Sequence, residues 1–122
     1  MSYYKTGKIK LGTYDRKWSK VVRLRDNYTC QVCGLYDTHY VSAHHFIGRT
    51  NKRLRFEPLN GISLCAKHHT FNNNFSAHRT PKDFKRWFAD KFLDRFKYLK
   101  KRENEKMTER QAVKEFKERT ER

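Results

Sequence analysis

Residues 29–34 read TCQVCG and residues 41–74 read VSAHHFIGRTNKRLRFEPLNGISLCAKHHTFNNN. Between them they hold all three cysteines of the chain and four of its six histidines. Cys30 and Cys33 form a C-x2-C pair, and Cys65 and His68 form a C-x2-H pair further along. Zinc takes four tetrahedral sulfur and nitrogen ligands, and a two-residue spacer lets each pair bind from one tight turn. Gly34 follows the first pair, where the backbone of such a knuckle bends and a residue free to adopt positive φ fits. A redox C-x-x-C of the thioredoxin kind would open a helix after a buried strand and would need no second pair. Two correctly spaced pairs favour structural zinc.

The remaining histidines offer a second, open site. His69 directly follows His68, and adjacent residues on a helix point about 100° apart, so the two can serve different ions. Asn73 lies one helical turn beyond His69 on the same face. His44 and His45 come from YVSAHHF, whose β-branched and aromatic content predicts a strand, and GISLC predicts a second strand. A helix follows over about residues 66–74. Between the strands runs FIGRTNKRLRFEPL, bracketed by Gly48 and Pro58 and therefore read as a long loop. Loops of that length in compact domains tend to be functional.

His44, His45, Asn60 and His69 together resemble the HNH (ββα-metal) nucleases. The CQVC and LCAKH pairs resemble the zinc-stabilised branch of that group. The nine-residue step from Asn60 to His69 and the further four to Asn73 are similar to the nuclease domains of bacterial colicins, although Asn73 stands where that pattern has a histidine. The segment between His44 and Cys65 also looks like small phage-borne HNH proteins. The resemblance spans roughly residues 15–90.

It implies an α+β fold: a small ββα-metal (His-Me finger) core with a structural zinc site, flanked by N-terminal and C-terminal helices. It implies DNA phosphodiester hydrolysis, one strand per active site, leaving 5′-phosphate and 3′-hydroxyl ends. His45 would be the general base, because imidazole titrates near neutral pH. Asn60 would fix the loop and the orientation of His45. His44, His69 and Asn73 would hold a catalytic divalent ion, Mg²⁺ or Mn²⁺, since an amide oxygen suits a hard cation. Cys30, Cys33, Cys65 and His68 would hold zinc. His78 could replace Asn73 if the helix ends early, and His39 reads as a surface residue.

Composition narrows the partner. The chain has 122 residues, enough for one domain with little core to spare. Twenty-nine Lys and Arg against thirteen Asp and Glu give a net charge of +16. That favours nucleic acid over an anionic membrane, and the resemblance implies duplex or branched DNA. No apolar run could span a bilayer, and the N-terminus lacks the apolar core of a signal peptide. An odd cysteine count argues for a reducing compartment; together with the resemblance, that implies the cytoplasm of a bacterial or phage-infected cell. Phosphate contacts are expected from Arg16, Lys17, Lys20 and Arg23 on a first helix, and from Arg49, Lys52, Arg53 and Arg55 in the loop.

Three segments are expected: a basic arm over 1–14, the nuclease domain over 15–100, and a charged helical extension over 101–122. Asp15 is the predicted N-cap of the first helix, with Trp18, Val21 and Val22 on one face. Thr80, Pro81 and Asp83 predict a helix start. The stripe Phe84, Trp87, Phe88, Phe92, Phe96 and Leu99 predicts a helical lid over the ββα unit. Thr108 and Gln111 predict a capping box for a last helix carrying Val113 and Phe116. That helix is too short to stand alone, so it packs back or contacts another chain in a homodimer or larger nucleoprotein assembly. The competing function is a non-catalytic zinc-knuckle DNA-binding or recruiting subunit of a phage or mobile-element assembly. Such a protein would keep the zinc ligands but have no use for His45 and Asn60.

Overall fold

The computed structural model describes residues 10–121; residues 1–9, most of the expected basic arm, lie outside the described residues, as does Arg122. The chain is a small α+β protein. In order, it forms α1 (Leu11–Arg25), β1 (Ser42–His45), a 3-10 turn (Pro58–Asn60), β2 (Gly61–Leu64), a π-type turn (Lys67–Phe71), α2 (Pro81–Lys91), α3 (Leu93–Arg102) and α4 (Glu109–Thr120). The two strands pair antiparallel, Ser42 opposite Leu64 and His45 opposite Gly61.

α1 begins at Leu11, so residues 11–14 belong to the helix and not to the arm, and Asp15 is not its cap. Lys10 takes the N-cap position without a side-chain bond. Asp15 instead meets Arg55 at 2.7 Å. Tyr14, Trp18 and Val22 recur every four residues and are buried along one face. That face lies directly on the start of β2. A Cβ on Gly61 would sit 2.3 Å from Val22 Cγ2 and 2.7 Å from Trp18 Cζ2, so the approach requires glycine.

The loop between the strands is held from within and from outside. Asn60 is fully buried; its Nδ2 donates to the carbonyls of Ile47 (2.8 Å) and Leu54 (3.1 Å), and its Oδ1 accepts from Ile47 N–H (2.8 Å). One amide thus ties the start and the middle of the loop to its end. Arg25 donates to the carbonyls of Pro58 and Gly61. Arg95, stacked over Phe88 and Phe92, donates to those of Leu59 and Gly61. Burial, together with the charge of Arg25, pushes Arg95 down to about 10. Buried Glu57 accepts from Tyr98 Oη and Arg119 Nη1, both at 2.8 Å. The entry to β2 is therefore gripped by α1, α3 and α4 at once.

The expected single helix over 80–99 is broken at Phe92, whose φ of −124° and ψ of 55° leave the helical region. Thr80 does not cap a helix N–H; its hydroxyl accepts from Ser76 N–H and donates to Ser76 C=O. The break folds the aromatic stripe back on itself, so Phe84, Phe88 and Leu99 all join one core with Leu54, Ile62, Leu64, Cys30 and Cys65. A second core unites Tyr14, Trp18 and Val22 of α1 with Phe56 and with Ala112, Val113 and Phe116 of α4. The capping box at Thr108 and Gln111 forms as expected. α4 packs back, so its apolar face is covered within the chain. Among the described residues no helix is long and apolar enough to cross a membrane.

Candidate metal centres

Two clusters of potential ligands lie within the described residues: Cys30, Cys33, Cys65 and His68, and His44, His69 and His78. Local geometry separates them. His68 and His69 are neighbours on the π-type turn and diverge, the first towards the cysteines and the second towards His44. The strand does the same for its own pair, because successive side chains point to opposite faces. His44 meets His69, His78 and Phe84, whereas His45 lies flat on Trp18, ring centroids 3.7 Å apart.

The Cys3His group fits a tetrahedral zinc ion. Two sulfurs each about 2.3 Å from such an ion lie roughly 3.8 Å apart, and a sulfur and an imidazole nitrogen roughly 3.5 Å. Cys33 Sγ and Cys65 Sγ are 3.8 Å apart. His68 Nδ1 is 3.3 Å from Cys65 Sγ and 3.9 Å from Cys30 Sγ. Gly34 has φ +80°, the conformation the knuckle requires. Burial raises the Cys30 thiol, but the backbone N–H groups of Cys65, Cys33 and Val32 outweigh it and hold its pKa below the ordinary value. Burial and the neighbouring Cys30 push Cys65 up to about 11. Three thiols, two of them buried, packed this closely with an imidazole suit a cation. A group of this kind could hold zinc.

The three-histidine group differs from the expected set. Asn73 is outside the turn, which ends at Phe71, and its Oδ1 accepts from Arg79 Nη1 at 2.9 Å. The chain then doubles back: Ala77 N–H and His78 N–H donate to the carbonyls of His68 and His69. That pairing brings His78 Nε2 to 3.1 Å from His69 Nε2. Two imidazole nitrogens on one ion at about 2.1 Å lie roughly 3.0–3.4 Å apart, so the pair has the spacing of co-ligands. Ser42 Oγ lies 3.1 Å from His69 Nδ1 and fixes that ring from behind. Burial, reinforced by the charges of His69, His78 and His45, pushes His44 down to about 3. His69 is lowered by burial and by His78. Both rings are therefore neutral, the form that binds a metal.

His45 has a defined tautomer. Its Nε2 lies 2.8 Å from the Arg55 carbonyl, which can only accept, so Nε2 carries the proton and Nδ1 keeps a free lone pair. Burial lowers its pKa; the Arg55 carbonyl and Asp15 oppose this, while the charges of Arg49 and Arg55 add to it. A cavity of about 410 Å³ brings His45 together with His44, His69, His78, Asp15 and Arg49.

The basic residues divide into two groups. Arg16, Lys17, Lys20, Arg49 and Lys52 are exposed, with Lys17 reaching Glu121 at 3.2 Å. Arg23 is half-buried, donates back to Ser19 and lies over Tyr28. Arg53 and Arg55 are not available as the expected phosphate contacts. Arg53 is 8% exposed and pairs with Glu105 and Glu115; Arg55 pairs with Asp15 and Glu109.

The stacking role of Trp18 was masked by its place in an apolar stripe, and Ser42 carried a readable signal, since it sits two positions from His44 on the same strand face. His78 was the expected substitute for Asn73 if the helix ended early, and the turn does end early, at Phe71. No protein-family model, no curated protein and no solved structure matches the chain.

Proposed function

We propose that the protein is a metal-dependent DNA endonuclease of HNH type, with the hairpin and the π-type turn acting as a ββα-metal core. One observation carries this reading: a histidine whose Nε2 lies 2.8 Å from the Arg55 carbonyl shares a cavity with three converging imidazoles and one exposed arginine. A non-catalytic zinc knuckle has no need of that second constellation.

In the proposed reaction, His45 Nδ1 accepts a proton from the attacking water, while the Arg55 carbonyl keeps the other nitrogen protonated and the ring in place. Trp18 holds the ring flat. Arg49 donates to the non-bridging oxygens of the scissile phosphate, whose charge grows in the transition state. Asn60 acts on the loop, holding Ile47 and Leu54 so that the strand bearing His45 keeps its register. A cation on His44, His69 and His78 would polarise the phosphate and stabilise the departing 3′ oxygen. With His78 in place of Asn73 the donors are three imidazoles, a set suited to transition ions more than to Mg²⁺. The 5′-phosphate and 3′-hydroxyl products follow from that polarity. The exposed cations Arg16, Lys17 and Lys20 supply non-specific backbone attraction.

Incubation of the zinc-loaded protein with supercoiled plasmid tests the proposal. Mn²⁺-dependent nicking is expected. His45→Ala should abolish it while zinc content and DNA retention persist. Plasmid left intact under every divalent ion, with DNA still bound, would leave the recruiting-subunit reading standing instead.

A further inference from the structure

Of the groups around His45, the one that sets its proton is a backbone carbonyl, and backbone carbonyls in loops move unless something restrains them. Arg55 is restrained to an unusual degree. Its Nε and Nη2 donate to the two carboxylate oxygens of Asp15 at 3.0 and 2.7 Å, a bidentate pair of fixed plane. Its Nη1 donates to Glu109 Oε2 at 3.2 Å. Asp15 belongs to α1 and Glu109 to the first turn of α4. The next residue, Phe56, is buried against Phe116 of α4, and the residue two before, Arg53, is tied to Glu105 and Glu115. A loop segment of four residues thus carries three anchors into the C-terminal part of the chain, and its centre holds the histidine.

We propose that Arg55 is a positioning residue for His45, and that α4, through Glu109, is part of the platform that orients this base. The inference rests on the nuclease reading for its kinetic consequence but not for its structural one. The guanidinium never needs to touch substrate. By clamping the 53–56 segment it keeps the Arg55 carbonyl 2.8 Å from Nε2, which holds Nδ1 as the free acceptor. Without the clamp Leu54 keeps its bond to Asn60 and the residues Arg53 and Phe56 keep their own anchors, but the Arg55 peptide between them is free to rotate, so the ring samples the other tautomer and other rotamers.

The test uses the full-length zinc-loaded protein labelled with ¹⁵N-histidine. The wild type should show one exchange-protected imidazole N–H resonance from His45, identified by its loss in His45→Gln. In Arg55→Met that resonance should exchange at least about 10-fold faster, and kcat should fall roughly 10- to 100-fold with KM within about twofold. Arg55→Lys, which keeps one ion pair, should recover part of both. An unchanged N–H resonance together with an unchanged kcat in Arg55→Met would overturn the proposal. Should Arg55→Met lose its zinc or its fold, Glu109→Gln provides the second reading, because it leaves the capping box of α4 intact. Exchange as slow as in the wild type there would also overturn it. If the wild type cuts nothing, the nuclease reading fails, while the N–H exchange still decides the role of Arg55.

Discussion

Replacing Gly61 by alanine tests the packing on which the site depends. The added Cβ would lie 2.3 Å from Val22 Cγ2, 2.7 Å from Trp18 Cζ2 and 3.1 Å from Val22 Cγ1. Ordinary carbon contacts begin at about 3.5 Å, so the overlap exceeds about 1 Å on one atom. Gly61 has φ −104° and ψ 143°, a conformation alanine adopts freely, so the penalty comes from steric crowding and not from the backbone. Overpacking of this kind costs about 1–3 kcal/mol, and two contacts this short place Gly61→Ala near the upper end. A penalty of about 3 kcal/mol lowers the melting temperature of a chain this size by roughly 10 °C. The strain also reaches the site, since Trp18 is the plate on which His45 lies. Val22→Ala alone should cost about 2 kcal/mol through lost burial. In the double variant the alanine at 22 vacates the space the new Cβ needs. The two penalties should fall short of additive by about 1–2 kcal/mol, a coupling that urea unfolding of the four proteins would measure. Strict additivity would refute the claimed approach of α1 to β2.

Four further outcomes follow from the three-histidine group and the arginines of the loop. His78→Ala should weaken Mn²⁺ binding at the three-histidine group by roughly 100-fold, about 2.7 kcal/mol, whereas Asn73→Ala should change it less than about threefold; titration followed by electron paramagnetic resonance distinguishes them. In zinc-loaded protein without a second ion, His44 is neutral when folded, its pKa pushed from 6.5 to about 3. The unfolded state therefore binds the extra proton, so its contribution is fully present above about pH 6.5 and is lost as pH falls towards 3, on the order of a few kcal/mol. His44→Asn should flatten that part of the melting curve against pH, and an identical slope would count against the burial. Arg49→Ala should slow cleavage more than 10-fold with stability within about 0.5 kcal/mol, whereas Arg53→Ala should cost about 1–2 kcal/mol through the lost packing and bonds of its buried side chain, since Glu115 keeps Arg119 and Glu105 faces solvent, leaving the salt dependence of DNA binding unchanged.

Much of the framework was legible because it depends on spacing along the chain. Two-residue spacers bring Cys30 to Cys33 and Cys65 to His68 whatever surrounds them. Adjacent positions on a turn must diverge, which sends His68 and His69 to different groups. Alternation along β1 does the same for His44 and His45, and the capping box at Thr108 is a contact over three residues. The buried amide of Asn60 bonds Ile47 and Leu54 across the loop, while the ring of His45 is held by the Arg55 carbonyl and Trp18.

What the tertiary structure alone decided were the meetings of distant residues. His78, rather than Asn73, joins His44 and His69 because the turn stops at Phe71 and the returning chain bonds to the carbonyls of His68 and His69. Arg53 and Arg55 read as phosphate contacts in a basic loop, yet carboxylates from Asp15, Glu105, Glu109 and Glu115 claim them. The N-terminus of α1 moved to Leu11, and α4 became half of a core instead of an extension, because each covers the other's apolar face. Local spacing fixes the direction in which a side chain leaves the backbone; which partner waits there is set by how the helices pack.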